Sequence, residues 1–260
     1  MIKPKKSLGQ NFLINNDIIK QIVSLENVKD KNILEIGPGT GNLTKEIIIK
    51  EPKTLTLVEK DKELFKKLED KFFFLKNLRI LNRDILELDI ENNLKKDSIV
   101  FGNLPYNIST KILINLLKFK KWPPNYKRLV LMFQKEVGER IIASYNTSKY
   151  GRLSVISNFR LEVLKYFNVS KKCFYPVPKV DSMIIVFKPI KRERYKLKKI
   201  ESLEKITNVL FSKKRKMINK ALKMLFSQDG IKQLKIDEKK RPAELSLDEF
   251  YRVASYYESN

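Results

Sequence analysis

The chain has 260 residues and sets 54 Lys and Arg against 30 Asp and Glu, a formal net charge of +24. One cysteine, Cys173, and no histidine exclude disulfides, Cys-rich zinc sites, Ser-His nucleophiles, His-based acid–base chemistry and most zinc enzymes. An apolar fraction of 42% suits one large domain, or one domain plus a small appendage. So positive a field favours polyanionic partners, nucleic acid or an anionic membrane surface, and its local clustering puts nucleic acid ahead of a generic lysine-rich surface.

The N-terminal stretch MIKPKKSLGQNFL is basic and lacks the apolar core of a signal peptide. No apolar run approaches the length of a transmembrane helix, so a cytosolic protein is expected. Strand-like and helix-like runs then alternate. NILEIG (32–37), TLTLVEK (54–60), LRILNRD (78–84), SIVFGNLPY (98–106) and RLVLMFQ (128–134) read as strands. NLTKEIIIK (42–50) and DKELFKKLEDKF (61–72) read as helices, and RLVLMFQ leads into KEVGERII (135–142). This order predicts an α/β fold, a mainly parallel Rossmann-like sheet covered by helices. EVLKYFNVS and SMIIVFKP are closing strands, separated by the Pro-bearing loop FYPVPKVD. The charged segment KPIKRERYKLKKI (188–200) breaks the pattern. After it, residues 203–226 have the periodicity of one helix, and IKQLKI and SLDEFYRVASYY suggest further helices. The predicted domains are therefore 1–190 and a small helical domain, 191–260.

LEIGPGTGN places Gly37, Gly39 and Gly41 where a strand turns into a helix. Such a turn lets the backbone approach a ligand and aims N–H groups at it. No Lys-Ser/Thr follows, so it is not a P-loop. Asn42 stands where the dinucleotide fingerprint has its third glycine. Taken alone this is an ordinary βα turn. Glu59, however, ends the next strand about 20 residues on, where a carboxylate can bind ribose hydroxyls, and Asp84 ends the strand after that. A ligand with ribose but no pyrophosphate fits, and S-adenosylmethionine is the candidate.

Asn103 ends a further strand beside the same crevice. Its amide oxygen and the Leu104 carbonyl are acceptors, Pro105 stiffens the turn, and Tyr106 offers a flat face for a base. Two acceptors that hold the hydrogens of an aromatic exocyclic amine would turn its lone pair toward a methyl donor. Orientation and electrostatics then carry the reaction without a strong base. The plainer role for Asn103, capping the helix that Asn107 and Ser109 begin, is disfavoured by its distance from that helix.

In SLGQNFL (7–13), EIGPGTG (35–41), Glu59, RDIL (83–86), NLPYNIS (103–109), QKEV (134–137), YGRLSV (150–155) and FYPVPKVDS (174–182), the chain resembles the ribosomal-RNA adenine N6 dimethyltransferases over nearly its whole length. The match is best to the branch that modifies two adjacent adenines in the 3′-terminal hairpin of small-subunit rRNA. The resemblance implies a class I methyltransferase fold using S-adenosylmethionine. Asn11 and Leu13 match positions lining the cofactor pocket, Gly37 the glycine against its methionine portion, Glu59 the ribose ligand, and Asp84 the contact to its adenine. Asn103, which borders the cofactor as well, Leu104 and Tyr106 match residues around the target base. Phe174 matches an aromatic that stacks on that base from the other side.

The implied partner is small-subunit rRNA in an immature subunit, with no membrane, no metal and a monomeric enzyme expected. Within the predicted helix, Lys213, Lys216, Lys220 and Lys223 share one face, a candidate phosphate-binding ridge or a solvated surface. Leu210, Met217, Ile218, Ala221, Leu222 and Leu225 fill a core-facing stripe. Three rivals stand beside the main reading. They are a macrolide-resistance methyltransferase of large-subunit rRNA, a non-catalytic RNA-binding factor on the same fold, and a DNA adenine methyltransferase. The last usually has Pro-Pro-Tyr where this chain has Leu-Pro-Tyr.

Overall fold

The computed structural model describes residues 4–5, 8–191, 197 and 199–260. Ser7 of the N-terminal motif, and 192–196 with 198 of the charged segment, lie outside the described residues. In chain order the elements are β1 (Phe12–Leu13), α1 (Asn16–Val23), β2 (Asn32–Ile36), α2 (Asn42–Ile49), β3 (Thr54–Glu59), α3 (Lys62–Phe72) and β4 (Leu78–Asn82). Then come α4 (Ile90–Asn93), β5 (Ser98–Asn103), α5 (Ser109–Leu117), β6 (Tyr126–Gln134), α6 (Lys135–Ile142) and α7 (Arg152–Arg160). The chain closes with β7 (Leu161–Val169), β8 (Phe174–Tyr175), β9 (Ser182–Pro189), α8 (Ile200–Phe211), α9 (Asn219–Lys223), α10 (Gln228–Leu234) and α11 (Leu247–Ser259).

These elements form two compact units, 1–138 with 163–189 and 139–162 with 190–260. The first holds a seven-stranded sheet in the order β4–β3–β2–β5–β6–β9–β7. It is parallel from β4 to β6 and antiparallel between β6 and β9. β2 and β5 are buried at almost every residue rather than at alternate ones, as strands covered on both faces must be. Asn15 and Asp61 start α1 and α3 by accepting the Ile18 and Glu63 N–H groups at 3.0 and 2.9 Å. After β2 the chain winds outward through β3 to β4, then returns to lay β5 on the other side of β2. That reversal opens a crevice at the carboxyl ends of β2 and β5. A separate two-stranded antiparallel ribbon sets Phe12 opposite Tyr175 and Leu13 opposite Phe174.

The second unit is helical, and it takes residues 139–162 as well as the predicted 191–260. The physical reason is aromatic packing. Tyr150 lies 6.1 Å from Phe211 and 6.3 Å from Phe250, while Phe211 and Phe250 stack at 5.2 Å. Phe159 meets Tyr251 at 5.1 Å, and the Tyr251 hydroxyl donates to the Val155 carbonyl at 3.1 Å.

The predicted helix over 203–226 is broken: α8 stops at Phe211 and α9 begins at Asn219. Residues 212–217 are all exposed, Met217 among them at 50%, so a helix there would align a run of cations and bury nothing. The turn is held instead by tertiary bonds. Lys214 Nζ donates to the Ser148 carbonyl at 2.6 Å, and the Ile218 N–H to the Lys240 carbonyl at 2.9 Å. Lys213, Lys216, Lys220 and Lys223 are exposed but do not share one helical face. Leu210, Ile218 and Leu222 are buried as expected. Among the described residues no helix is long and apolar enough to cross a membrane.

Candidate active site

A cavity of ≈ 210 Å³ lies at the carboxyl ends of β2, β3 and β5 and is closed on one side by the N-terminal segment. Asn11, Leu13, Gly37, Glu59, Asp84, Asn103, Leu104 and Tyr106 all line it. Gly37 has φ +66°, and a β-carbon there would project to within 3.8 Å of the Asn103 carbonyl oxygen. The left-handed backbone favours glycine, while the 3.8 Å distance is an ordinary contact.

Glu59 ends β3 with its carboxylate already oriented. Oε2 accepts the Gly39 N–H at 3.1 Å and Oε1 the Asp61 N–H at 2.9 Å. Burial raises its pKa, and these N–H groups pull against that rise. Asp84 lies just beyond β4. It accepts from Lys60 Nζ at 2.6 Å and from the Leu86 N–H at 2.9 Å. Burial works to raise its pKa, but the Lys60 bond, the Leu86 N–H and the charge of Lys60 together bring it below the usual carboxylate range. The Asn82 side chain donates to the Glu59 and Lys60 carbonyls at 2.9 and 3.2 Å, tying the ends of β3 and β4 together.

Among the lining residues not singled out from the sequence is Glu35, in the otherwise largely apolar strand NILEI. It is 1% exposed and accepts the Thr44 hydroxyl at 2.7 Å. Burial first, and then the negative charge of Glu59, push its pKa up to about 8 against the opposing Thr44 bond. An acid inside a fully buried strand was the available signal.

The N-terminal segment is fastened at both ends of this wall. Asp61 accepts from Lys5 Nζ at 2.9 Å and from Gln10 Nε2 at 3.0 Å. Burial acts to raise the Asp61 pKa, but the Lys5 and Gln10 bonds outweigh it and the pKa falls. The Leu13 carbonyl accepts from Asn42 Nδ2 at 2.8 Å.

At the end of β5, Leu104 folds back over Gly102, where a β-carbon would come 2.6 Å from Leu104 Cδ2. Asn103 Nδ2 donates to the Asn11 carbonyl at 3.3 Å. That bond fixes which end of the amide is nitrogen and leaves Oδ1 as the acceptor for a ligand. The Pro105 carbonyl accepts the Ile108 and Ser109 N–H groups, whereas among the described residues no backbone N–H reaches the Leu104 carbonyl. The N-cap of α5 is Ile108, with no side-chain cap hydrogen bond, so Asn103 is not the cap of that helix. The Tyr106 hydroxyl shares a 2.6 Å hydrogen bond with Ser182 Oγ, which steadies a half-buried ring. Burial raises the Tyr106 pKa in spite of that bond.

Phe174 is not brought to the cavity. It is 1% exposed and packs in the core with Leu13, Val169 and Ile184. Strand alternation is the cause: Phe174 shares with Leu13 the ribbon face that packs into the core, and Tyr175 falls on the other face with Phe12.

A family model described as "Ribosomal RNA adenine dimethylase" matches residues 1–259. A Pelagibacter ubique (strain HTCC1062) protein named "Ribosomal RNA small subunit methyltransferase A" is 43% identical over 265 residues, covering 99% of this chain and 98% of the relative. Among solved structures, a dimethyladenosine transferase from Plasmodium falciparum superposes with TM-score 0.80 at 27% identity, over 93% of this chain and 95% of that one. The 23S rRNA methyltransferase ErmE superposes with TM-score 0.69 at 22% identity, over 95% and 99% of the two chains, a likeness of fold alone.

Proposed function

Since this chain belongs to the ribosomal RNA adenine dimethylase family, we propose that it dimethylates N6 of two adjacent adenines in the 3′-terminal hairpin of small-subunit rRNA. The methyl donor is S-adenosylmethionine, which supplies an electrophilic methyl group. The enzyme works as a cytoplasmic monomer on immature subunits. One observation carries the reading: an oriented carboxylate at Glu59 and an amide oxygen at Asn103 that accepts no hydrogen bond among the described residues line the same cavity. The name of the Pelagibacter ubique relative supports the small-subunit substrate.

The chain's residues suit that donor. The Glu59 oxygens each keep lone-pair capacity for a ribose hydroxyl beyond the N–H groups they accept. Gly37 supplies the left-handed turn at the cavity wall, and Asp84 and Asn11 complete the polar wall. On the target side, Asn103 Oδ1 and the Leu104 carbonyl accept the amine hydrogens and orient the nitrogen lone pair, while Tyr106 stacks on the base. After the first transfer one N–H remains, so one acceptor suffices for the second. Lys213, Lys216, Lys220 and Lys223 contact phosphates from the helical unit.

The experiment is nucleoside mass spectrometry after incubation of unmethylated small subunits with the protein and S-adenosylmethionine. Dimethyladenosine at two adjacent positions is expected. Product confined to large-subunit rRNA, or no product, would overturn the reading.

A further inference from the structure

The loop between β8 and β9 borders the cavity at both ends, and the structure uses it in a way the motif residues do not explain. At its start, Phe174 pairs with the cavity-lining Leu13, and Tyr175 pairs with Phe12. At its end, Ser182 holds the hydroxyl of the cavity-lining Tyr106. Only six residues, 176–181, connect Tyr175 to Ser182, so both ends of this short loop are tied to residues of the cavity wall.

Its closure is firm. Asp181 accepts the Lys171 N–H on its carboxylate at 2.9 Å and the Lys135 N–H on its carbonyl at 2.9 Å. The Ile14 N–H donates to the Cys173 carbonyl at 2.9 Å.

This rim exposes large apolar side chains. Tyr175 is 52% exposed, Val177 59%, and Ile14, which follows β1, 50%. Directly opposed residues of an antiparallel pair project to the same face, so Tyr175 shares a face with Phe12. The Phe12 ring packs on the glycine turn, with Cδ1 2.9 Å from where a Gly39 β-carbon would stand. Tyr175 therefore shares its face of the ribbon with the cavity-lining Phe12 yet is not itself part of the cavity wall. Exposed Lys171, Lys172 and Lys179 stand in the same loop region.

An exposed aromatic ring with exposed lysines nearby in the same stretch of chain is the chemistry that receives an unstacked nucleotide, the ring meeting the base and the lysines the phosphates. An apolar protein surface would not be recognised by flanking cations.

We propose that Tyr175 is a positioning residue that stacks on the nucleobase adjoining the target adenine, outside the cavity, while the target occupies it. This rests on the rRNA-adenine reading above. It gives a substrate with two adjacent adenines a place to hold one while the other reacts.

The test uses the full-length protein, saturating S-adenosylmethionine and reconstituted unmethylated small subunits, either intact or with an abasic residue beside the target. Single-turnover methylation is followed against subunit concentration. Tyr175→Ala should weaken the apparent affinity for intact subunits about 5- to 150-fold, the range of one base–aromatic stack. Tyr175→Phe should restore it to within about twofold, and S-adenosylmethionine affinity should stay unchanged, which also reports that the variant is folded. On abasic subunits the wild type should drop to the level of Tyr175→Ala, and the substitution should add nothing.

Wild-type protein that binds abasic and intact subunits equally overturns the proposal without recourse to any variant. A Tyr175→Ala defect that persists on abasic subunits overturns it too, and assigns the rim to protein docking. Wild-type protein that methylates no small subunit removes the underlying reading and this inference with it.

Discussion

The two ends of the cavity are built on opposite plans. At the ends of β3 and β4 the acceptors are already occupied: Glu59 holds two backbone N–H groups, and Asp84 holds Lys60 and the Leu86 N–H. At the end of β5, Asn103 has one long contact to the Asn11 carbonyl, and the Leu104 carbonyl takes no backbone N–H among the described residues. An occupied carboxylate is fixed in direction before a ligand arrives, so little ordering remains to oppose binding. An unsatisfied acceptor on a half-buried strand end costs little while water reaches it, and gains most when a partner displaces that water. The first plan suits a ligand bound throughout a reaction, the second a group recognised for its reacting atom.

This contrast can be broken most forcefully at Asn103. Asn103→Ala should lower kcat by roughly 10²-fold or more, the scale for losing one preorganised hydrogen-bonding group at a reacting centre. Cofactor affinity should remain near normal. Single-turnover methylation at saturating S-adenosylmethionine measures it, and near-wild-type rates would sink the orienting role.

The opposite signature belongs to Glu59. Glu59→Ala should weaken S-adenosylmethionine binding by about 1.5–3 kcal/mol, the scale of a charged hydrogen bond. Titration calorimetry showing unchanged affinity in a folded variant would remove Glu59 from the cofactor end.

A third test sharpens the electrostatics of that end through Glu35. Its folded pKa of about 8 lies above the ordinary carboxyl value of 4.5, so between those values the folded state binds more protons than the unfolded one. Stability therefore falls as pH rises through this window. Glu35→Gln keeps an acceptor for the Thr44 hydroxyl but cannot ionise. Its stability should decline less steeply, by roughly 1 kcal/mol per pH unit, in urea titrations run from pH 5 to 8. Parallel slopes for the two proteins would show that Glu35 ionises normally.

The smallest effect is expected at Tyr106. Tyr106→Phe keeps the stacking ring and loses only the bond to Ser182, so kcat/KM should fall by about 0.5–1.5 kcal/mol equivalent. A much larger loss would mean that the hydroxyl takes part directly in the reaction.

Much of this site was legible because it sits at strand ends. Gly37, Glu59, Asp84 and Asn103 each follow or close an apolar run, and a parallel sheet gathers such positions at one edge without further information. Glu35 was not legible in the same way. A strand interior ordinarily excludes charge, and only burial beside Glu59 explains the shift in its ionisation. Phe174 and Tyr175 show the limit of motif reading. Adjacent aromatics are equivalent in the sequence, and the pairing of Phe174 with Leu13 decides which one is buried.

The helical unit marks the same boundary on a larger scale. Periodicity alone made one helix of 203–226, because Leu210, Ile218 and Leu222 are spaced for it and are in fact buried. The break at 212–218 was decided by bonds to Ser148 and Lys240, 66 and 22 residues away in the chain. The sequence by itself determined the α/β alternation, the switch-point crevice and the residue types that meet there, since these depend on local hydrophobic period and on strand ends. Tertiary structure alone decided which side chains of a locally equivalent pair face the cavity, where 139–162 pack, and how each carboxylate ionises. Those outcomes depend on burial and hydrogen bonds from chain segments distant in sequence, which no local pattern encodes.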